Sequence, residues 1–234
     1  ELCQLPGFRA VEHVGVEFAD HLASMRLRGA AGKRRCRAGG AVIVERMGKI
    51  IYDTATSVNG WIADERHSLD WLFAVEGGGE PSPDQYPSDA AVMVEGSHTY
   101  EWVLREERLL ERPERWGELF GTKPTYVFTS RELPVPAGAD VRLVSGPVAD
   151  ALPAIRAAAG DGDIWVVGGG ELAGRFLDAG ALDRIALSVA PVALTGGAPL
   201  LPRRVEASRL HLVSAHAQGQ FARLIYDVIT GEDQ

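Results

Sequence analysis

Three consecutive glycines between an apolar run and a helical pattern are the residues whose spacing most directly suggests chemistry. Residues 164–167 form a short apolar run typical of a buried strand, residues 168–170 are all glycine, and helical spacing starts at Leu172. Such a junction presents unpaired backbone N–H groups and the positive end of a helix dipole. This glycine junction (residues 168–170) predicts a phosphate-bearing ligand, unless the glycines only let the helix pack tightly on the strand.

Two further segments place polar groups directly after apolar runs. The serine junction (residues 96–99, Gly-Ser-His-Thr) follows a predicted strand and opens a helical pattern. The arginine segment (residues 129–131, Thr-Ser-Arg) follows another strand, and its hydroxyls and guanidinium suit a phosphomonoester. Because ligands of open α/β sheets bind beyond the carboxyl ends of strands, we expect all three segments at one sheet edge.

The elements that must position these segments alternate along the chain. Strands are predicted at 49–58, 90–94, 125–128, 141–144, 164–167 and 185–192, and helices at 69–75, 97–111, 148–159 and 171–179. Two last strands, at 209–218 and 220–230, predict an antiparallel hairpin around Gly219. The expected fold is α/β, with a mixed, mostly parallel sheet covered by helices on both faces.

Composition limits the classes of function. The 234 residues are 46% hydrophobic without an 18-residue apolar run, which predicts neither a membrane span nor membrane binding. The net charge of −8 argues against nucleic-acid binding. The two cysteines, Cys3 and Cys36, exclude a disulfide framework and favour the cytoplasm, and the histidines show no metal-ligand spacing.

The N-terminal part differs from the rest in pattern and charge. Residues 1–46 show no clean periodicity and end in a stretch rich in Gly, Ala and Arg, whereas Met47 leads directly into a predicted strand. We therefore expect residues 1–46 to be a disordered or non-native extension and residues 47–234 to be the folded domain. The alternative is a genuine targeting or regulatory arm.

The motifs occur in the order seen in one known superfamily. Ser-Val-Asn-Gly-Trp-Ile-Ala at 57–63, Gly-Ser-His-Thr-Tyr-Glu at 96–101, Thr-Ser-Arg at 129–131 and Asp-Ile-Trp-Val-Val-Gly-Gly-Gly-Glu-Leu at 163–172 resemble the dihydrofolate reductase superfamily. The resemblance covers roughly residues 48–230 and is greatest to the reductase domain of the riboflavin-biosynthesis deaminase-reductase. It implies a dihydrofolate-reductase-like three-layer fold.

The resemblance also implies an NADPH site. The serine junction and the glycine junction match the segments that hold the cofactor phosphates, and the arginine segment matches the one that grips the 2′-phosphate. The implied cofactor-binding residues are Ala55, Ile62, Ala63, Gly96, Ser97, Thr99, Thr129, Ser130, Arg131, Gly168, Gly169, Gly170, Glu171 and Leu172. Dihydrofolate reductases usually carry Arg where this chain has Ser97, so Arg131 carries more of the expected preference for NADP over NAD.

Three residues are candidates for the substrate side. Asp70 lies near the position of the carboxylate that hydrogen-bonds the pterin in the family, and the alternative is an acid favoured by a helix N-terminus. Asp53 lies on the first strand, where dihydrofolate reductases have an apolar residue. Ser188 matches a position that often carries a substrate-facing hydroxyl.

The predicted function is an NADP-dependent reductase that transfers hydride to a small heterocycle, of the 5-amino-6-(5-phosphoribosylamino)uracil reductase type. The alternatives are dihydrofolate reductase proper and a non-catalytic, dimeric nucleotide-binding scaffold. The sequence has no His-x-Glu and Cys-x-x-Cys deaminase zinc motif, so we expect a reductase domain without a deaminase. A homodimer is expected because the family often dimerises.

Overall fold

The computed structural model describes residues 48–76, 87 and 89–229, and the prediction about residues 1–46 lies outside these ranges. The strands are β1 (Ile50–Ser57), β2 (Trp61–Ala63), β3 (Val92–Gly96), β4 (Thr125–Phe128), β5 (Val141–Val144), β6 (Ile164–Gly168), β7 (Arg184–Ala190), β8 (Ala198–Pro199), β9 (Leu210–Gln218) and β10 (Phe221–Val228). The helices are α1 (Asp70–Phe73), α2 (Ser97–Glu106), α3 (Glu114–Phe120), α4 (Val148–Ala159) and α5 (Gly170–Asp178). Within the described ranges, no helix has the length and apolar character that crossing a membrane requires.

Eight strands form one sheet in the order β5-β4-β3-β6-β1-β7-β10-β9. The strands from β5 to β7 run parallel, and β10 pairs antiparallel with both β7 and β9. β2 and β8 form a separate two-stranded ribbon. The predicted mixed, mostly parallel sheet with a C-terminal hairpin is therefore confirmed.

Helices cover both faces because the parallel strands are apolar on both sides. Val92 and Val94 belong to a core cluster with α4 and α5, whereas Met93 belongs to a second cluster with α2 and α3. Trp165 on β6 lies in the same cluster as Met93. The three layers of the predicted fold are thus present.

The second helix is shorter than the predicted one at 97–111. α2 ends at Glu106, Arg108 adopts a positive φ of 51°, and the chain enters α3 after Pro113. Because the helix ends here, Leu109 is fully buried, and the carboxylate of Glu107, which is 3% exposed, lies 2.5 Å from the Arg115 guanidinium. The prediction of one continuous helix was wrong because tertiary burial of these residues overrides a local helical period.

Candidate functional site

The serine junction, the arginine segment and the glycine junction lie at one edge of the sheet. β4, β3 and β6 are adjacent and parallel, so their carboxyl ends meet. In the strand register Gly96 pairs with Phe128, and Glu95 pairs with Gly168. The expectation that the strands bring the three segments together is met by this register.

The glycine junction and the serine junction approach each other closely. A Cβ atom added to Gly168 would lie 2.9 Å from Thr99 Oγ1, and one added to Gly96 would lie 3.8 Å from the Gly169 nitrogen. The Gly168–Gly169 peptide bond is cis. The starts of α2 and α5 therefore lie side by side.

Among the residues that the structure describes, no side chain caps the N-terminus of α2 or α5. Gly96 and Gly169 are the N-cap residues of these helices, both with extended backbone. The first backbone N–H groups of a helix have no partner within the helix, and they bind anions well. Two such ends side by side fit the diphosphate of a dinucleotide.

The ribbon of β2 and β8 packs against the glycine junction. A Cβ atom on Gly169 would lie 3.8 Å from Ile62 Cδ1, whereas one on Gly170 would lie 2.1 Å from the Pro199 carbonyl oxygen. Ala63 lies on the same strand as Ile62, and Ala55 lies on β1. The structure therefore brings the strand assigned to the nicotinamide next to the glycines assigned to the phosphates.

The arginine segment is linked to α2 by an ion pair. The Arg131 guanidinium donates two parallel hydrogen bonds to the Glu101 carboxylate, of 3.0 Å from Nη1 to Oε1 and 2.6 Å from Nη2 to Oε2. Thr129 Oγ1 accepts a 2.9 Å hydrogen bond from the Arg131 backbone N–H. Ser130 is exposed beside them. Glu101, which the sequence assigned no role in the cofactor site, thus holds the guanidinium assigned to the 2′-phosphate.

The two residues after the glycine junction face different surroundings. Leu172 is buried in the core cluster with α4, so only its backbone is available to a ligand. Glu171 is exposed and accepts two 2.8–2.9 Å hydrogen bonds from Arg203, which also donates to Asp178 at 2.8 Å. The ion pairs lower the pKa of Glu171.

Asp53 and Ser188 are brought together by an arginine that the sequence did not single out. Arg223 on β10 donates two hydrogen bonds to the Asp53 carboxylate, of 2.8 and 2.5 Å, and one of 3.2 Å to Ser188 Oγ. All three residues are at least 95% buried, with exposures of 3%, 1% and 5% for Asp53, Arg223 and Ser188. Burial raises the pKa of Asp53 to about 6, although Arg223 opposes the shift.

This polar cluster lies on the sheet face that Ala55 shares. Ala55 pairs with Ser188, and Ser188 pairs with Arg223, so the three occupy one row across β1, β7 and β10. Asp70 lies elsewhere, exposed at the start of α1, where its backbone N–H donates to Ser68 Oγ. The catalytic role of Asp70 stays a prediction.

Glu95 is a buried acid that the sequence interpretation passed over. It is the penultimate residue of β3, it is 2% exposed, and burial raises its pKa to about 8. Its position two residues after the buried Met93 places both side chains on the α2 and α3 side of the sheet. In the sequence, the acid directly after the apolar residues Val-Met-Val of a predicted strand was the signal that could have identified a buried carboxyl group.

Residues 48–220 match the family model of the RibD C-terminal domain. The chain is also 28% identical, over 178 residues, to the uncharacterized protein YwjB of Bacillus subtilis strain 168. That match spans 76% of this chain and 97% of the relative.

Two solved structures share the fold. A Shewanella sp. PV-4 protein provisionally assigned to riboflavin biosynthesis is 24% identical, with a TM-score of 0.58, covering 79% of this chain and all of that one. The Thermotoga maritima diaminohydroxyphosphoribosylaminopyrimidine deaminase/5-amino-6-(5-phosphoribosylamino)uracil reductase is 17% identical, with a TM-score of 0.53. The alignment covers 80% of this chain but 58% of the bifunctional chain. The expected dihydrofolate-reductase-like fold, in its riboflavin reductase branch, is confirmed.

The packing at the glycine junction can be tested with a pair of substitutions. Gly170→Ala should destabilise the protein by about 3 kcal/mol or more, because the new Cβ atom overlaps the backbone carbonyls of Pro199 and Leu200. Gly117→Ala, in α3 where no described atom lies within 4 Å of the new Cβ position, should stabilise it by about 0.5–1 kcal/mol. Urea unfolding measures both, and equal effects would contradict the close packing.

Removal of the carboxylate from the buried ion pair should be costly. Asp53→Asn removes the carboxylate that accepts two hydrogen bonds from the buried Arg223 guanidinium, and we expect a loss of about 3–5 kcal/mol in the free energy of unfolding. The double variant Asp53→Leu/Arg223→Met should recover most of that loss because no charge remains. A single variant within about 1 kcal/mol of wild type would refute this assignment.

Glu95 should make stability depend on pH. Its pKa rises from an ordinary 4.5 in the unfolded chain to about 8 in the fold, so between these values the native state holds a proton that the unfolded state has lost. The free energy of unfolding therefore falls as pH rises through this window. Glu95→Gln should gain stability over wild type progressively from pH 5 to pH 8. The exposed Glu118→Gln control should show no such trend in urea titrations.

Proposed function

The chain belongs to the RibD C-terminal domain family, and from that premise we propose that it is an NADPH-dependent reductase of a small heterocycle. The proposed reaction is of the 5-amino-6-(5-phosphoribosylamino)uracil reductase type. The observation that carries the proposal is the contact between the uncapped starts of α2 and α5, beside the strand that carries Ile62. We also propose that the protein is cytoplasmic.

The residues at the sheet edge would bind and orient the cofactor. Backbone N–H groups that follow Gly96 and Gly169 would donate hydrogen bonds to the diphosphate. The Thr99 hydroxyl lies beside Gly168, at the side of this phosphate site. Arg131, Thr129 and Ser130 would receive the adenosine ribose. The bound nicotinamide supplies the hydride, whereas the protein supplies position and exclusion of water.

The buried polar cluster supports a polar heterocycle as the acceptor. Arg223 and Asp53 form a neutral ion pair, and the hydroxyl of Ser188 lies in the same row as Ala55, the residue assigned to the nicotinamide. A hydroxyl oriented by a guanidinium in this row would hydrogen-bond a carbonyl or ring nitrogen of the substrate. Both oxygens of the Asp53 carboxylate accept hydrogen bonds from Arg223, so Asp53 is not a free carboxylate that could hydrogen-bond a pterin.

The homodimer also remains a proposal. β9 is one of the two edge strands of the sheet formed by the described residues. It is nine residues long, and it exposes Leu212 and Val213 by 49% and 47%. A long edge strand with adjacent exposed aliphatic side chains suits pairing with a second copy.

Oxidation of NADPH with two acceptors tests the proposed function. The full chain should oxidise NADPH with 5-amino-6-(5-phosphoribosylamino)uracil and be much slower with dihydrofolate. Ser188→Ala should lower kcat/KM for the pyrimidine by about tenfold or more, because the substrate loses an oriented hydrogen-bonding group. Ser214→Ala, on β9, is the matched control and should equal wild type.

The other outcomes identify the alternatives. Turnover with dihydrofolate alone would indicate a dihydrofolate reductase. NADPH binding without turnover of either compound would indicate a nucleotide-binding scaffold and would refute the reductase.

A further inference from the structure

We propose that Glu101 sets the nucleotide specificity of the site by competing with the 2′-phosphate for Arg131. This inference rests on the proposed function, since it concerns the NADPH site described above. The inference gives Glu101 the role of repelling the 2′-phosphate, whereas the residues assigned to the 2′-phosphate attract it.

The geometry of the ion pair carries the argument. Both terminal nitrogens of Arg131 are used by both oxygens of Glu101, at 3.0 and 2.6 Å. A phosphate would need the same pair of guanidinium N–H groups, because guanidinium groups bind carboxylate and phosphate in the same bidentate manner. A 2′-phosphate must therefore displace the carboxylate or bind the outer edge of the guanidinium beside it.

Charge makes this competition unfavourable to the 2′-phosphate. Among the residues assigned to the cofactor, Arg131 alone is a cation, and Ser97 at the start of α2 is uncharged. A phosphate with a charge of about −1.5 to −2 would approach a guanidinium already neutralised by Glu101. A 2′-hydroxyl meets no such repulsion and can instead donate a hydrogen bond to a carboxylate, as it does in NAD sites.

The backbone that carries Arg131 is also held in place. Thr129 Oγ1 accepts a hydrogen bond from the Arg131 N–H at 2.9 Å, so the segment that carries the guanidinium is tied to its own turn. Glu101 lies on α2, the helix whose N-terminus would bind the diphosphate. One helix would thus attract the diphosphate at its start and oppose the 2′-phosphate one turn later. We therefore expect the intact chain to bind NADPH and NADH with affinities within about tenfold of each other.

Two nucleotide fragments that differ only in the 2′-phosphate test the inference without turnover. Adenosine 2′,5′-bisphosphate and adenosine 5′-monophosphate would be titrated into the full chain by calorimetry. Glu101→Gln should tighten binding of the bisphosphate about fivefold. It should leave the monophosphate nearly unchanged, because the amide oxygen of Gln still accepts a hydrogen bond from a 2′-hydroxyl. Glu106→Gln, which removes an exposed acid from the end of the same helix, should change neither.

Two further measurements separate electrostatic competition from a structural effect. The gain of Glu101→Gln should shrink between about 0.05 M and 0.5 M salt, because screening weakens the repulsion that the substitution removes. Arg131→Gln should weaken the bisphosphate and spare the monophosphate. Both Glu101 and Arg131 side chains are partly exposed, at 34% and 53%, so these variants should fold.

Two different results would contradict the inference, and each has a different meaning. If Glu101→Gln leaves bisphosphate binding unchanged or weakens it, Glu101 positions Arg131 instead of opposing the phosphate, and the inference is wrong. If wild type and all variants bind neither fragment nor NADPH, the nucleotide site itself is refuted and the inference fails with it.

Discussion

The close approach of β3 and β6 at their carboxyl ends is the constraint on which the candidate site depends. A Cβ atom at Gly96 would reach van der Waals distance of the Gly169 nitrogen, and one at Gly168 would press on Thr99. Only at this distance do the starts of α2 and α5 open onto the same space. Two uncapped helix ends that share one space attract an anion more strongly than either alone, because their backbone N–H groups and dipoles add.

The proposed anion binding at this edge would rest on the backbone more than on charged side chains. Two arginines near the predicted phosphate segments, Arg131 and Arg203, are both held by carboxylates. The chain as a whole carries a net charge of −8, so no general positive field compensates for them. In the proposed site, selectivity for a phosphorylated ligand would therefore depend on the geometry of the backbone N–H groups and on whether the carboxylates release their arginines.

The buried ion pair of Asp53 and Arg223 ties the C-terminal hairpin to the centre of the sheet. It spans β1, β7 and β10, and Ser188 on the middle strand accepts a hydrogen bond from the same guanidinium. Buried pairs add little net stability, since desolvation of both charges offsets their attraction. The pair instead penalises any register of β10 that would separate the charges, and so it links the position of the hairpin to the row of residues beside Ala55.

The amino-acid sequence by itself determined the alternating elements, the hairpin and the three polar segments after strands. These features depend on short-range physics: hydrophobic periodicity, glycine at tight turns, and helix starts directly after apolar runs. The same information implied, through resemblance, which segments face a dinucleotide. It failed at residues 107–111, where burial of Leu109 and Glu107 ended a helix that local spacing would have continued.

Only the tertiary structure decided which charges meet. Asp53 and Arg223 are 170 positions apart, and Glu101 and Arg131 are 30 apart, so neither pair has a local pattern. Their contacts follow from strand order and register, which are set by the packing of the whole sheet. The sequence therefore identified the atoms able to bind an anion, whereas the fold determined which of them a carboxylate already occupies.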